Sequence, residues 1–146
     1  MRIADVLRTK GSEVATVAPT TPVTDLLARL AEHNIGAMVV ADQDGQVVGI
    51  VSERDVVRRL AQYGADLLNR PVSDIMTTSV VTCGPQDTVD QLSGVMTERR
   101  IRHVPVVVDG KLAGIVSIGD VVKSKISQLE QEGSALQAYI TGERVS

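Results

Sequence analysis

The sequence predicts an α/β fold made of two copies of one β-α-β-β-α unit, packed sheet to sheet with pseudo-two-fold symmetry. Three observations carry this. The chain repeats itself at offsets of 65 to 69 residues through most of its length. Each copy passes from apolar residues at helical spacing to a pair of short apolar strands joined by a turn. Each copy also ends in the same corner, Gly49-Ile50-Val51-Ser52-Glu53-Arg54-Asp55 and Gly114-Ile115-Val116-Ser117-Ile118-Gly119-Asp120.

The elements follow in order. Ile3–Leu7 and Val72–Met76 are short apolar helical turns that lead into each copy. Short strands are expected over about 14–17 and 80–83, where Ala15-Thr16-Val17-Ala18-Pro19 matches Val81-Thr82-Cys83-Gly84-Pro85. An amphipathic helix comes next, with Val23, Leu26, Leu27, Leu30 and Ala31 in copy 1 and Val89, Leu92, Val95 and Met96 in copy 2. Then come two hairpins, Ala37–Ala41 with Gln46–Ser52 and Val104–Val108 with Lys111–Ser117. Asp44-Gly45 and Asp109-Gly110 are their turn signals. The last helix of each copy starts just past the serine. Its apolar residues, Val56, Val57 and Leu60 or Val121, Val122 and Ile126, are assigned to the core. Adjacent pairs such as Val56-Val57 point in different directions on a helix, so one of each pair is free to face a partner subunit. The division is therefore 1–63 for copy 1 with its lead-in, 64–71 for an exposed linker, 72–126 for copy 2 and 127–146 for a helical tail. The last helix is expected to stop near Glu132, with a shorter helix after it and a disordered end beyond Thr141.

Composition narrows the function. Hydrophobic residues make up 43% of the chain and charged residues 23%, as in ordinary globular proteins. With no Trp, no Phe and two Tyr, the core is aliphatic and no aromatic platform for single-stranded nucleic acid is available. A formal charge of −3 gives no basic field for nucleic acid. The single Cys83 excludes an internal disulfide framework and a multi-cysteine metal site, and is read as a small buried hydrophobe. His33 and His103 have no partners at metal-ligand spacing. No apolar run is long enough to span a membrane and no leader opens the chain, which favours a cytoplasmic setting. The chain shows no nucleophile–base pair and no Gly-rich phosphate loop with lysine, so catalysis is not expected.

The repeated corner carries the chemistry. Ser-x-x-Asp is a helix capping box, and an acid in the first turn suits the helix dipole. The same groups can also hold a ligand. A carboxylate accepts hydrogen bonds from vicinal sugar hydroxyls, and a serine hydroxyl with backbone N–H groups at a helix start meets phosphate. Recurrence at both corners favours ligand binding by Ser52 and Asp55, and by Ser117 and Asp120. Glu98-Arg99-Arg100-Ile101-Arg102-His103 is the densest basic cluster, either a solvated helix end or a phosphate site built from guanidinium forks.

The duplicated Gly-Ile-Val-Ser-x-x-Asp, with Arg102-His103-Val104-Pro105-Val106-Val107 before its second copy, resembles a tandem CBS-domain pair, or Bateman module, over residues 2–126. The tail segment Gln137-Ala138-Tyr139-Ile140-Thr141-Gly142 is similar to that of small stand-alone bacterial members. The resemblance implies a regulatory module without catalysis. It implies clefts between the repeats for adenosine compounds (AMP, ADP, ATP, NAD or S-adenosylmethionine) and a disc-like homodimer. It further implies two unequal sites. One takes Ser52, Arg54 and Asp55, phosphate contacts from Arg99 and Arg100, and an adenine slot from Thr78, Ser79, Val80, Ile101 and Arg102. This site should prefer the more phosphorylated ligand. The other takes Ser117, Ile118, Gly119 and Asp120, with His33 and Asn34 in the arginine positions and an adenine slot from Glu13, Val14, Ala15, Ile35, Gly36 and Ala37. It should tolerate AMP or an uncharged adenosine group. The sequence departs from a symmetrical pair in one strand, where Val104-Pro105-Val106 stands opposite Met38-Val39-Val40. The competing reading is an interaction scaffold for an unknown regulated protein, with vestigial pockets.

Overall fold

The computed structural model describes residues 1–11 and 13–140; the end beyond Thr141 lies outside them. The elements are α1 (Ile3–Lys10), β1 (Thr16–Val17), α2 (Val23–His33), β2 (Ala37–Ala41), β3 (Val47–Ser52), α3 (Glu53–Tyr63), α4 (Val89–Arg99), β4 (His103–Val108), β5 (Lys111–Ser117) and α5 (Ile118–Ile140). In the first sheet β1 runs parallel to β2 and β2 antiparallel to β3. The second sheet is the antiparallel pair β4–β5. Both hairpins shift register at the same place, after Val40 and after Val106. The sheets meet at their turn ends, where Gln46 and Lys111 form an isolated bridge.

Each sheet is covered by helices that bury the apolar stripe read from the sequence. Val23, Leu26 and Leu30 of α2 pack over Met38, Val40 and Val51; Val89, Leu92 and Met96 of α4 pack over Val104, Val106 and Val116. The tight turn of the second hairpin places Asp109 at φ 52° and Gly110 at φ 78°, the paired positive angles of a turn whose twist matches the strands. In the first hairpin the extra residue is absorbed by Asp42, whose Oδ1 accepts the N–H groups of Asp44 and Gln46, both at 2.9 Å.

The lead-ins are exchanged. α1 precedes copy 1, yet Ile3 and Val6 are buried in the core of copy 2. The N–H groups of Ile3 and Ala4 donate to the carbonyls of Asp87 and Pro85 at 2.8 and 2.9 Å. Conversely, Val72 and Ile75 complete the core of copy 1, and Val72 N–H donates to Thr21 at 2.7 Å. This exchange accounts for the glycine of each corner. A Cβ at Gly49 would lie 2.6 Å from Met76 Sδ and 3.0 Å from the Thr77 carbonyl, and one at Gly114 would lie 2.7 Å from Leu7 Cδ2. Each sheet thus accepts a lead-in pressed against bare backbone.

Five sequence expectations are corrected in whole or in part. The strand expected over 80–83 is reduced to a single bridge between Cys83 and Val106. In a parallel ladder the next rung, Thr82 with residue 105, needs the N–H of residue 105, and Pro105 has none. The strand expected over 14–17 is only Thr16–Val17. The segment after α3 is exposed, as expected, at Gly64, Ala65, Asp66, Leu68 and Asn69, but it is anchored to the core. Gly64–Asn69 forms a 3-10 helix whose Leu67 is fully buried, and Arg70 stacks 4.0 Å from the Tyr63 ring. The last helix does not break near Glu132, since α5 continues through Gly133 to Ile140. Val56 and Val121 are core residues, whereas Leu60 and Ile126 join Val57 and Val122 on the surface, all four between 48% and 67% exposed. Among the described residues, no helix is long and apolar enough to cross a membrane.

Candidate functional site

Both corners form the capping box that their sequence specifies. Asp55 Oδ2 accepts the Ser52 N–H at 2.8 Å and the Ser52 hydroxyl at 3.1 Å, and the Asp55 N–H donates to Ser52 Oγ at 3.3 Å. At the second corner the same three bonds are 2.8, 3.0 and 3.2 Å. Each corner is tied to the other hairpin strand in the same way: Glu53 N–H donates to Gly36, and Ile118 N–H to Arg102. In both, a single carboxylate oxygen carries the cap and Oδ1 is left for other work.

The surroundings differ. A cleft of about 690 Å³ opens on the Asp55 side, within the range of small-molecule sites. Its walls include Ser52, Arg54 and Asp55 from the first corner, Ser79 and Val80 from the chain before Cys83, and Arg100, Ile101 and Arg102 from the turn after α4. Gly36 and Ala37 beside the first corner, and Ser117, Ile118 and Gly119 from the second, complete the walls. Six wall residues were not among the expected ligand contacts: Ile50, Glu53, Arg58, Thr77, Val81 and His103. Arg58 was legible, for it stands one helical turn beyond Arg54 on α3. Of the other expected ligand residues, Thr78, Arg99, Glu13, Val14, Ala15, His33, Asn34, Ile35 and Asp120 lie outside this cleft.

Four arginines, Arg54, Arg58, Arg100 and Arg102, line a cleft whose acids are Glu53 and Asp55. Among the described residues, none of the four arginines is in an ion pair. Such forks suit phosphate oxygens. Arg100 also holds a strained backbone, closing α4 in the left-handed conformation at φ 55°. Asn34 does the same for α2 at φ 53°, but asparagine adopts that region more readily than arginine. Burial pushes the pKa of His103 below its ordinary 6.5, helped by the charges of Arg102 and Lys10 and opposed by Asp120. His103 therefore enters the cleft wall as a neutral ring at neutral pH.

The Asp120 corner is closed. Lys10, at the end of α1, places Nζ 2.6 Å from Asp120 Oδ2 and 2.9 Å from the Ile115 carbonyl. Burial works to raise the Asp120 pKa, but the Lys10 and Ser117 hydrogen bonds with the Lys10 charge outweigh it and hold the carboxyl below its ordinary 3.8. Among the described residues no cluster of His, Cys, Asp and Glu could hold a metal. Burial, aided by Asp87, raises the Cys83 thiol to about 11, which leaves it protonated and inert.

Comparison with known proteins agrees with this architecture. The CBS domain family model matches twice, over residues 3–62 and 72–127. The CBS domain-containing protein YhcV of Bacillus subtilis is 34% identical over 134 residues, which cover 92% of this chain and 94% of that one. The crystal structure of the CBS-domain containing protein ATU1752 from Agrobacterium tumefaciens superposes with a TM-score of 0.82 at 48% identity, over 86% of this chain and 99% of that one. The CBS domain pair of protein MJ0100, solved in complex with 5-methylthioadenosine and S-adenosyl-L-methionine, gives a TM-score of 0.78 at 26% identity, over 88% and 98%.

Proposed function

Because the chain belongs to the CBS domain family, with one match on each repeat, we propose that it is a non-catalytic regulatory module that binds an adenosine nucleotide at the Ser52–Asp55 corner. The observation that carries this reading is the set of four arginines, in no ion pair among the described residues, around a cleft that also holds a carboxylate. Asp55 Oδ1 takes the ribose hydroxyls. Arg54, Arg58, Arg100 and Arg102 take the phosphates, with the backbone start of α3 beside them. The binding of adenosine compounds by the MJ0100 pair supports the choice of adenosine. The arginine count favours ADP or ATP over AMP, and over NAD or S-adenosylmethionine.

The cleft has walls from both repeats. A ligand that binds one relative tilt of the repeats better than another shifts the equilibrium toward it by that difference in affinity. The exposed apolar residues Val57 and Leu60 on α3, with Val122, Ile126 and Leu129 on α5, support a homodimer through these helices. The same surface favours the second reading, a scaffold that docks a regulated protein. The proposal takes the chain to be cytoplasmic, where such nucleotides are abundant.

Calorimetry with AMP, ADP, ATP, NAD and S-adenosylmethionine tests the proposal. ADP or ATP should bind in the micromolar range and lose affinity with rising salt. Absence of binding below millimolar by every compound would overturn the sensor reading and leave the scaffold.

A further inference from the structure

We propose that each chain holds a single nucleotide, at the Asp55 corner, and that Lys10 is the residue that closes the Asp120 corner to a second. This rests on the nucleotide-binding reading above and deepens it by fixing the number of sites and the residue that sets it.

The pseudo-symmetry of the fold makes the case. At the first corner the edge of β3 is finished by main chain: Ile50 N–H donates to the Thr77 carbonyl at 3.0 Å, and Thr77 N–H donates to the Ile50 carbonyl at 2.9 Å. Ile115 is the counterpart of Ile50, and its carbonyl is satisfied by the Lys10 ammonium at 2.9 Å. The reason is in the sequence. The offset between the copies is 69 residues in the lead-in and 66 after it, so copy 1 has three more residues between lead-in and first strand. α1 uses that length to run on to Lys10, while the equivalent turn of copy 2 ends at Asp74. A side chain from this extra turn stands where a backbone segment stands at the other corner.

The same ammonium adds a third bond to one oxygen of the carboxylate and pairs its charge. Asp120 Oδ2 accepts from the Ser117 N–H, the Ser117 hydroxyl and Lys10 Nζ, whereas Asp55 Oδ2 accepts only the first two kinds of bond. The Lys10 and Asp120 side chains are 31% and 19% exposed, so the pair is partly shielded from water. A ribose entering this corner meets a carboxylate already paired with Lys10, and displacing Lys10 separates a shielded ion pair and leaves the Ile115 carbonyl without its donor. Asp120 accordingly lies outside the cleft that Asp55 lines. α1 cannot swing away freely, because Ile3 is fully buried in the copy 2 core.

The experiment is calorimetric titration of the full chain with ADP, for the wild type and Lys10→Met. The expected result is one ADP per wild-type chain, and in Lys10→Met a second event, weaker than the first. Two ADP per wild-type chain would overturn single occupancy while leaving the nucleotide reading intact. A well-folded Lys10→Met that still takes one ADP would show that another group closes the corner, and would overturn the role of Lys10. No binding by the wild type would overturn the nucleotide reading itself. Acylation of lysine amines, read by mass spectrometry on the wild type, decides the matter if Lys10→Met does not fold. Lys10, held by Asp120 and the Ile115 carbonyl, should react more slowly than Lys111 with and without saturating ADP. A rise in Lys10 reactivity on saturation would mean that nucleotide had displaced it, and single occupancy would fail.

Discussion

The two Ser-x-x-Asp corners of this chain are the same object in different company. Their capping bonds agree within 0.1 Å. One faces a cleft lined by four arginines, and the other is sealed by a lysine from an exchanged lead-in. A local motif therefore starts a helix at both places. What reaches the corner from elsewhere in the chain decides whether it is also available to a ligand.

Single substitutions at the two aspartates separate the corners most sharply. Asp55→Asn keeps the shape of the cap and removes the charge that the ribose hydroxyls meet. Charge-assisted hydrogen bonds of roughly 1.5–3 kcal/mol imply a loss of about tenfold to a hundredfold in ADP affinity. Asp120→Asn should leave ADP affinity within about twofold, since it removes no cleft contact. Equal losses by calorimetry would mean that the corners are equivalent in function.

The glycines of the two corners differ next. A methyl at Gly49 meets both a side chain and the Thr77 carbonyl, whereas at Gly114 it meets only the Leu7 side chain, which can turn aside. Overpacking of this kind costs about 1–3 kcal/mol, so Gly49→Ala should fall near the top of that range and Gly114→Ala near the bottom in urea unfolding. The reverse order would mean that the lead-in of copy 1 is the stiffer one.

Much of this was legible beforehand, for identifiable reasons. The 3.6-residue stripes of α2 and α4, the Asp-Gly turns and the capping boxes are local, and local signals repeat faithfully. The exchange of lead-ins was not legible, because Ile3 and Val72 look equally apolar whichever core they enter. The role of Lys10 follows from that exchange and was hidden with it. Arg58 needed only the helical spacing from Arg54. Leu67 was passed over because Gly64 and Pro71 on either side suggested an exposed linker.

The two left-handed helix ends give a smaller effect with a useful sign. Arg100→Asn places at α4 the residue type that α2 already uses at Asn34. It should hold or raise the melting temperature, because relief of backbone strain is worth on the order of 1 kcal/mol. It should also weaken ADP more than AMP. Loss of stability would show that Arg100 packs as part of the fold.

The shielded pair predicts an acid limb. The Asp120 carboxyl is held below its ordinary value in the folded chain, so the folded state binds fewer protons than the unfolded one as the pH drops past about 4. Its stabilisation is complete above that point and is lost as the pH falls through the folded value. Lys10→Met should flatten this part of the stability curve, measured by urea midpoints between about pH 5 and pH 2. An unchanged slope would mean that the ion pair contributes nothing there.

The smallest effect lies in the strands. Pro105 denies Thr82 a rung, and the unpaired chain before Cys83 is the one whose Ser79, Val80 and Val81 wall the cleft. In copy 1 the same stretch is zipped to β2 through Thr16 and Val17, and its Val14 and Ala15 lie outside the cleft. Pro105→Val supplies the missing N–H, so hydrogen exchange at residue 105 should be slow and Val81 should be drawn toward the sheet. The gain of one hydrogen bond, about 1 kcal/mol, is offset by the freedom that valine returns to the unfolded chain, and stability should barely move. ADP affinity should nonetheless drop modestly, because a wall has shifted. Fast exchange at residue 105 would show that Thr82 is kept off the sheet by something other than the proline.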